Sequence, residues 1–392
     1  MKTLSKISNR TKILLATPIY PPDIGGPATY TQRLANQLSQ KGFEVIVITF
    51  SEKEIAENTD FSVITISRAY PKVIRHFLYL LELLRLAQKS DVIYAQSPVN
   101  VGFPSLIASK ILRKKLILKV VGDAAWESYA TSRQKFDDLE TFQKKDYGFF
   151  IEAIRSIQKL VAKNVDSVIA PSQYLKKIIS DWGVPEEKIN VVYNVPTEES
   201  SSINISNEEA KNQVGFKGNI ILSIGRLSPW KGFQVLIEVM PDLLKENPNF
   251  KLLIIGSGEE KEKLVNKIIN LKVANSVKLV GRVNHSEIPL YFKAADMFVL
   301  NSQYEGLSHV ILEAMQSGTP IIASNQGGNP ELIQDDFNGL LVKYNDTEQL
   351  KRAILKLWQS RELKEKFIKN SKEKIKEMSW ENLVQNTLKI LL

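Results

Sequence analysis

Short continuous apolar runs, each bounded by polar or glycine-rich turns and separated by helical patterns, recur along this chain. KILLAT at 12–17, EVIVITF at 44–50, DVIYA at 91–95, LILKVV at 116–121, 167–170 and 189–192 read as strands in the first half. Runs at 220–224, 251–255, 277–280, 297–300 and 320–323 read as strands in the second. Strands apolar on both faces belong to parallel sheets covered by helices on either side. The helices predicted between them run over about 28–41, 72–89, 148–163 and 172–181, then start near Phe233, Glu259, Ser286, Ser308 and Asn329. The regular βα alternation predicts an α/β fold of two doubly wound domains. The Ser/Glu-rich stretch 195–212 reads as the boundary between them, with domains over 1–196 and 218–375, a linker over 197–217, and a final helix at 376–392 apolar enough to pack on something. No solenoid-type repeat is present. The 72–89 helix is apolar on nearly every side, which predicts a buried crossover helix, with a helix dipping into a bilayer as the competing reading. Gly122–Gly148 reads as a long, polar, irregular loop.

The chemistry gathers in the turns that follow the strands of the second half: GRLSPWKG, GSGEE, GRVNH, NSQYEGLS and SNQGGNP. In an open α/β sheet these turns share one edge, where helix starts offer unpaired N–H groups to anions. Arg226 and Lys231 in the first turn suit phosphate oxygens, one as a planar fork and the other as a point charge. Glu305 lies in the fourth turn. Glu313 lies on the helix that Ser308 caps and Gly318 ends. The plain alternative for Glu313 is a solvated helix residue. Cations and carboxylates together suit a ligand with phosphates and hydroxyls, and a sugar nucleotide has both. In the first half, Gly25-Gly26 stands at a helix entrance, where a backbone without Cβ permits close approach or simply makes a tight turn. That loop, TPIYPPDIGG, lacks the G-x-G-x-x-G of a dinucleotide fold, and the second strand ends without an acid, so a nicotinamide dehydrogenase is disfavoured.

Composition narrows the classes further. At 392 residues the chain exceeds one hydrophobic core, and 43% hydrophobic with 24% charged content is that of a globular protein. The absence of cysteine excludes disulfides and thiolate metal sites, and His76, His285 and His309 have no ligand spacing, so no metal centre is expected. The net charge of +9 is unevenly placed: 27 Lys+Arg against 21 Asp+Glu over 1–200, 14 against 17 over 201–350, and 11 against 5 in the remainder. A basic first domain fits an anionic acceptor or membrane surface, and no aromatic-basic motif favours nucleic acid. The opening apolar run is too short for a signal peptide and no run reaches transmembrane length, so a cytoplasmic protein, soluble or peripherally attached to the membrane, is expected.

IGRLSPWKG at 224–232, IIGSG at 254–258, LVGRV at 279–283, YEGLSHVILEA at 304–314 and GTPIIASNQGGNPELI at 318–333 together resemble the retaining, family-four glycosyltransferases of the two-Rossmann-domain (GT-B) type. YPPDIGGPATY at 20–30 and PSQYL at 171–175 extend the resemblance into the first half. It implies two Rossmann-like domains facing across a cleft, a final helix at 376–392 that returns to the first domain, and transfer of a hexose from a nucleotide-diphosphate sugar, UDP before GDP, to a carbohydrate or lipid-linked acceptor. No metal or other cofactor is implied, the nucleotide sugar being a co-substrate. Arg226 and Lys231 match the family's diphosphate pair. Glu305 matches the residue on the donor sugar, Glu313 the one on the ribose. Gly25, Gly26, Gly225, Arg282, Gly306, Leu307 and Ser308 match donor-binding positions. Where the family often has a histidine after the strand at 116–121, this chain has GDAAWE, so Asp123 inherits that place, with helix capping as its alternative. A glycoside hydrolase using Glu305 and Glu313 would leave Arg226 and Lys231 idle. A non-hydrolysing epimerase and a sugar-nucleotide-binding protein without transferase activity remain open.

Overall fold

The computed structural model describes residues 11–23, 25–52, 60–133, 136–196 and 205–392. The basic opening and the first part of the expected linker, 197–204, lie outside the described residues. Continuous apolar runs become strands buried on both faces. In the first half the strands are β1 (Lys12–Ala16), β2 (Glu44–Ser51), a half-exposed β3 (Ser62–Ser67), β4 (Val92–Ala95), β5 (Lys115–Lys119), β6 (Ser167–Ala170) and β7 (Ile189–Val191). They form a parallel sheet in the order β3-β2-β1-β4-β5-β6-β7. The second half gives β8 (Asn219–Ile224), β9 (Phe250–Ile255), β10 (Val277–Gly281), β11 (Met297–Leu300), β12 (Ile321–Ser324) and β13 (Leu340–Val342). Their order is β10-β9-β8-β11-β12-β13, again all parallel. This is the doubly wound Rossmann arrangement, twice.

The helices that flank the two sheet edges or cover their faces include α1 (Gly26–Gln40), α2 (Lys72–Gln88), α3 (Phe103–Leu112), α4 (Ala124–Thr131), α5 (Phe149–Asn164), α6 (Phe233–Glu246), α7 (Ile288–Ala294), α8 (His309–Ser317) and α9 (Trp380–Leu391). One compact unit comprises 1–129, 140–193 and 380–392, the other 130–139 and 194–379. In the second unit Leu236, Met240 and Ile254 centre the apolar layer on one sheet face, and Leu253, Phe298 and Ile311 the layer on the other. In the first unit α9 buries Leu383, Val384 and Leu388 and packs on α1, with the Trp380 ring 5.9 Å from Tyr30 and the Arg33 guanidinium over its face.

Four local expectations change. β3 and β13, both at sheet edges, carry no continuous apolar run long enough to stand out. α3 is masked in the sequence by two prolines and a glycine, yet Pro104 falls in its first turn, where its missing N–H has no partner to lose. Residues 122–148 are only partly irregular: α4 forms there and buries Ala125 and Trp126 completely, and Leu139–Phe142 make one more helical turn, while 134–135 lie outside the described residues. The largest change concerns α2. It buries Tyr79, Leu83, Leu86 and Ala87 on one side only, leaving Val73, Ile74, Phe77 and Leu81 in solvent on the other. A buried crossover helix is therefore corrected to an amphipathic one whose outer face is also apolar.

Candidate active site

β8 and β11 are neighbours whose connections leave in opposite directions, so their carboxyl ends open the crevice where ligands bind in such sheets. The turn 225–232 leaves β8 and the turn 301–308 leaves β11. Backbone hydrogen bonds stitch the rim together. Leu227 N donates to Ser257 O (3.0 Å), Glu260 N to Leu227 O (3.0 Å), Gln303 N to Trp230 O (2.8 Å) and Gly328 N to Glu305 O (2.8 Å). Two glycines make this approach possible. A Cβ on Gly232 (φ +64°) would lie 2.0 Å from Asn301 O, and one on Gly327 (φ +59°) 2.3 Å from Glu305 O. The glycines of WKG and QGG thus let each turn rest directly on the NSQYEG backbone.

On this rim Lys231 Nζ donates to Glu305 Oε1 at 2.5 Å, and Ser302 Oγ donates to the same oxygen at 2.7 Å. The pair is mostly out of solvent, 15% and 13% exposed. The Lys231 stem runs beside Gly225, whose Cβ would meet it at 3.7 Å. Arg226 projects outward, 63% exposed, and reaches Glu259 at 3.3 Å. Gly306 and Leu307 lead into α8, whose cap is Ser308, accepting from Ile311 N at 3.3 Å. The helix thus begins beside the Lys231–Glu305 pair with the positive end of its dipole foremost. Glu313 is on α8 and 7% exposed, with His285 Nε2 3.8 Å from its Oε1. Arg282, after β10, donates from Nε to Ser257 Oγ at 2.6 Å. Gly225, Arg226, Lys231, Glu305, Gly306, Leu307 and Ser308 therefore share one edge, with Arg282 and Glu313 on adjoining elements. Ser302, Ser257, Glu259 and His285 were not singled out from the sequence. His285 stood in one of the five turns but lacked a metal-ligand spacing.

The first unit's candidates are placed differently. Gly25 is the residue before α1, where a Cβ would lie 2.8 Å from Ile19 Cδ1, and Gly26 opens the helix with Pro27 behind it. Asp123 is wholly buried. Its Oδ1 accepts from Trp126 N (2.9 Å) and Gln158 Nε2 (2.9 Å), and its Oδ2 from Gln143 Nε2 (2.8 Å). Both oxygens are engaged in holding α4 and α5, which is the capping alternative and not a ligand-facing carboxylate. Near the β1–β4 crevice of this unit stand several uncharged polar groups, while an Arg68–Asp23 ion pair (2.6 Å) joins the loops after β3 and β1. Thr31 Oγ1 lies 3.0 Å from Gln96 Oε1, and the Tyr30 and Tyr94 hydroxyls are 3.0 Å apart. Lys119 Nζ lies 3.4 Å from the centre of the Tyr30 ring. Burial pushes this lysine down to about 7 and the Tyr94 phenol well above its usual value.

Residues 204–374 match the family profile "Glycosyl transferases group 1", and residues 24–195 match "Glycosyltransferase Family 4". An uncharacterized glycosyltransferase of Methanocaldococcus jannaschii is 29% identical over 97% of each chain. Alpha-monoglucosyldiacylglycerol synthase of Streptococcus pneumoniae is 28% identical over 88% of this chain and 77% of its own. Among solved structures, Anabaena HepE in complex with UDP superposes with a TM-score of 0.78 at 21% identity, covering 97% of this chain and 99% of that one. The same protein has been seen with UDP-glucose, at a TM-score of 0.76.

Proposed function

The chain being a glycosyltransferase of the GT-B type, we propose that it transfers a hexose from a nucleotide-diphosphate sugar to an acceptor hydroxyl with retention at the anomeric carbon. One observation carries the donor side: the Lys231–Glu305 pair, Arg226 and the start of α8 share the carboxyl edge at the β8–β11 crevice. In the proposed step the anomeric carbon–oxygen bond to the diphosphate breaks and a bond to the acceptor oxygen forms. The acceptor's proton passes to the departing diphosphate. Charge builds on that diphosphate, so cations fixed in advance lower the barrier. An ammonium has three donors; Lys231 gives one to Glu305 and has others for phosphate oxygens, while Arg226 offers a planar fork from the solvent side. Glu305 takes hydroxyl hydrogens of the sugar, and Glu313 those of the ribose. UDP is preferred over GDP because the HepE complexes hold UDP and UDP-glucose. The test is binding of UDP- and GDP-hexoses by calorimetry, then NMR of the product's anomeric proton. An inverted product would overturn retention.

We assign the acceptor side to the first unit and to an anionic bilayer surface. Val73, Phe77 and Leu81 stand at i, i+4 and i+8 on the outer face of α2, with Ile74 and Tyr70 beside them. α2 packs on α3 and α3 on α5, and those helices add Phe103, Ile111, Phe149 and Phe150 to the solvent-exposed apolar residues. Residues 72–115 carry 8 Lys+Arg against 2 Asp+Glu. An apolar face flanked by cations fits the interface of anionic lipid, and a lipid-linked acceptor would be met there. Among the described residues no helix is long and apolar enough to cross a membrane.

A further inference from the structure

His285 opens a short 3-10 turn, His285–Glu287, between β10 and α7, and α7 packs against α8, which carries Glu313. The imidazole shows one edge to solvent, but its Nε2 is turned inward, shielded from water and without a hydrogen-bond partner. An orphaned ring nitrogen is costly to hold inside a protein. The carboxylate oxygen it faces, Glu313 Oε1, is 3.8 Å away, too far for a direct hydrogen bond. The separation does fit one oxygen between them, since an atom about 2.8 Å from each closes a triangle on that base. The chemistry fixes the roles. An ionised carboxylate only accepts, so a bridging hydroxyl gives its hydrogen to Glu313 and turns a lone pair to Nε2–H.

We propose that His285 and Glu313 together clamp one ribose hydroxyl of a nucleoside diphosphate, which makes His285 a specificity residue selecting ribonucleotides over deoxyribonucleotides. This rests on the reading of the second unit as a nucleotide-sugar site. A site built to hydrogen-bond a hydroxyl rejects the analogue that lacks it, because its own buried polar groups are then left unpaired. His285 meets that condition through Nε2. The clamp also fixes the histidine tautomer, with hydrogen on Nε2 and the lone pair on Nδ1.

Calorimetric titration of the full chain with UDP, GDP, 2′-deoxy-UDP and 3′-deoxy-UDP tests this. The parent is expected to bind one of the deoxy forms about tenfold more weakly than UDP. His285→Ala should weaken UDP by about five- to tenfold while leaving that same deoxy form within about twofold, because the lost contact is to the missing hydroxyl. His285→Gln keeps an N–H and should retain part of the preference. Comparing ribo and deoxy ligands within each variant removes general effects on folding. Equal weakening of UDP and both deoxy forms in His285→Ala, or no weakening at all, overturns the clamp while the donor site stands. A parent that binds neither UDP nor GDP overturns the donor reading and the clamp with it.

Discussion

The two sheets run their strands outward from the middle in the same order, yet their carboxyl edges carry different chemistry. In the second unit the crevice between β8 and β11 presents a cation locked to a carboxylate, a second cation projecting into solvent, and a capped helix start. In the first unit the crevice between β1 and β4 is surrounded by a threonine, an amide and two phenols, and its buried lysine is shifted toward neutrality. The first unit's edge also holds the Arg68–Asp23 ion pair, and further cations lie on α2 and α3 beside apolar side chains left in solvent. One scaffold thus supplies a fixed charged rim and, separately, an exposed apolar face flanked by cations. Fold alone would have assigned both units the same task.

Lys119 and Lys231 are the residues whose loss separates the two edges most. Lys119 in the first unit has a pKa that falls from 10.5 in the unfolded chain to about 7 in the folded one, so between those values the unfolded state binds the extra proton. Stability then rises with pH across that window. Lys119→Met has no proton to lose, so at pH 7 it should be more stable than the parent, by a margin that narrows as pH rises toward 10.5. Urea titrations at several pH values measure it, and a gain independent of pH would show that the amine is not held neutral.

On the charged edge, Lys231→Ala should cost about 2–4 kcal/mol in the barrier, the range for losing a group that stabilises developing charge. Arg226→Ala, removing an exposed cation, should cost less. Turnover of both variants within about threefold of the parent would end the leaving-group assignment.

Gly327→Ala should destabilise by about 2 kcal/mol and weaken donor binding, since the new methyl meets Glu305 O and the backbone there is left-handed. Gly215→Ala, also left-handed but with nothing within 4 Å, should lose about 1 kcal/mol and leave binding unchanged. Equal effects of the two on binding would mean that the interlocked turns do not shape the site.

The smallest change in stability, within about 0.5 kcal/mol, is expected for Val73→Ser, Phe77→Ser and Leu81→Ser combined, because exposed side chains contribute little to the core. The same variant should lose cosedimentation with vesicles containing anionic phospholipid. Undiminished binding would remove the bilayer assignment.

Much of the second sheet is legible directly, because strands buried on both faces must be apolar throughout and their turns must be polar. The edge strands β3 and β13 escape, since an edge imposes no such demand. For α2, apolar residues on all sides leave open which side is covered. Asp123 shows a different limit. A carboxylate after a strand can face a ligand or cap a helix, and the deciding partners, Gln143 and Gln158, lie 20 and 35 positions further along. The ion pair of Lys231 with Glu305 joins positions 74 apart, so the chemistry of each residue is readable in isolation but its neighbour is not.

The return of α9 to α1 has a practical corollary for anyone dividing this protein. A fragment cut at the polar boundary near residue 196 would leave Tyr30 without the aromatic cover of Trp380, which arrives about 350 positions further along the chain. Expressed by itself, the amino-terminal half should therefore aggregate unless the last thirteen residues, 380–392, are grafted back onto it, and 194–379 alone would in turn lack 130–139, where Leu139 is buried.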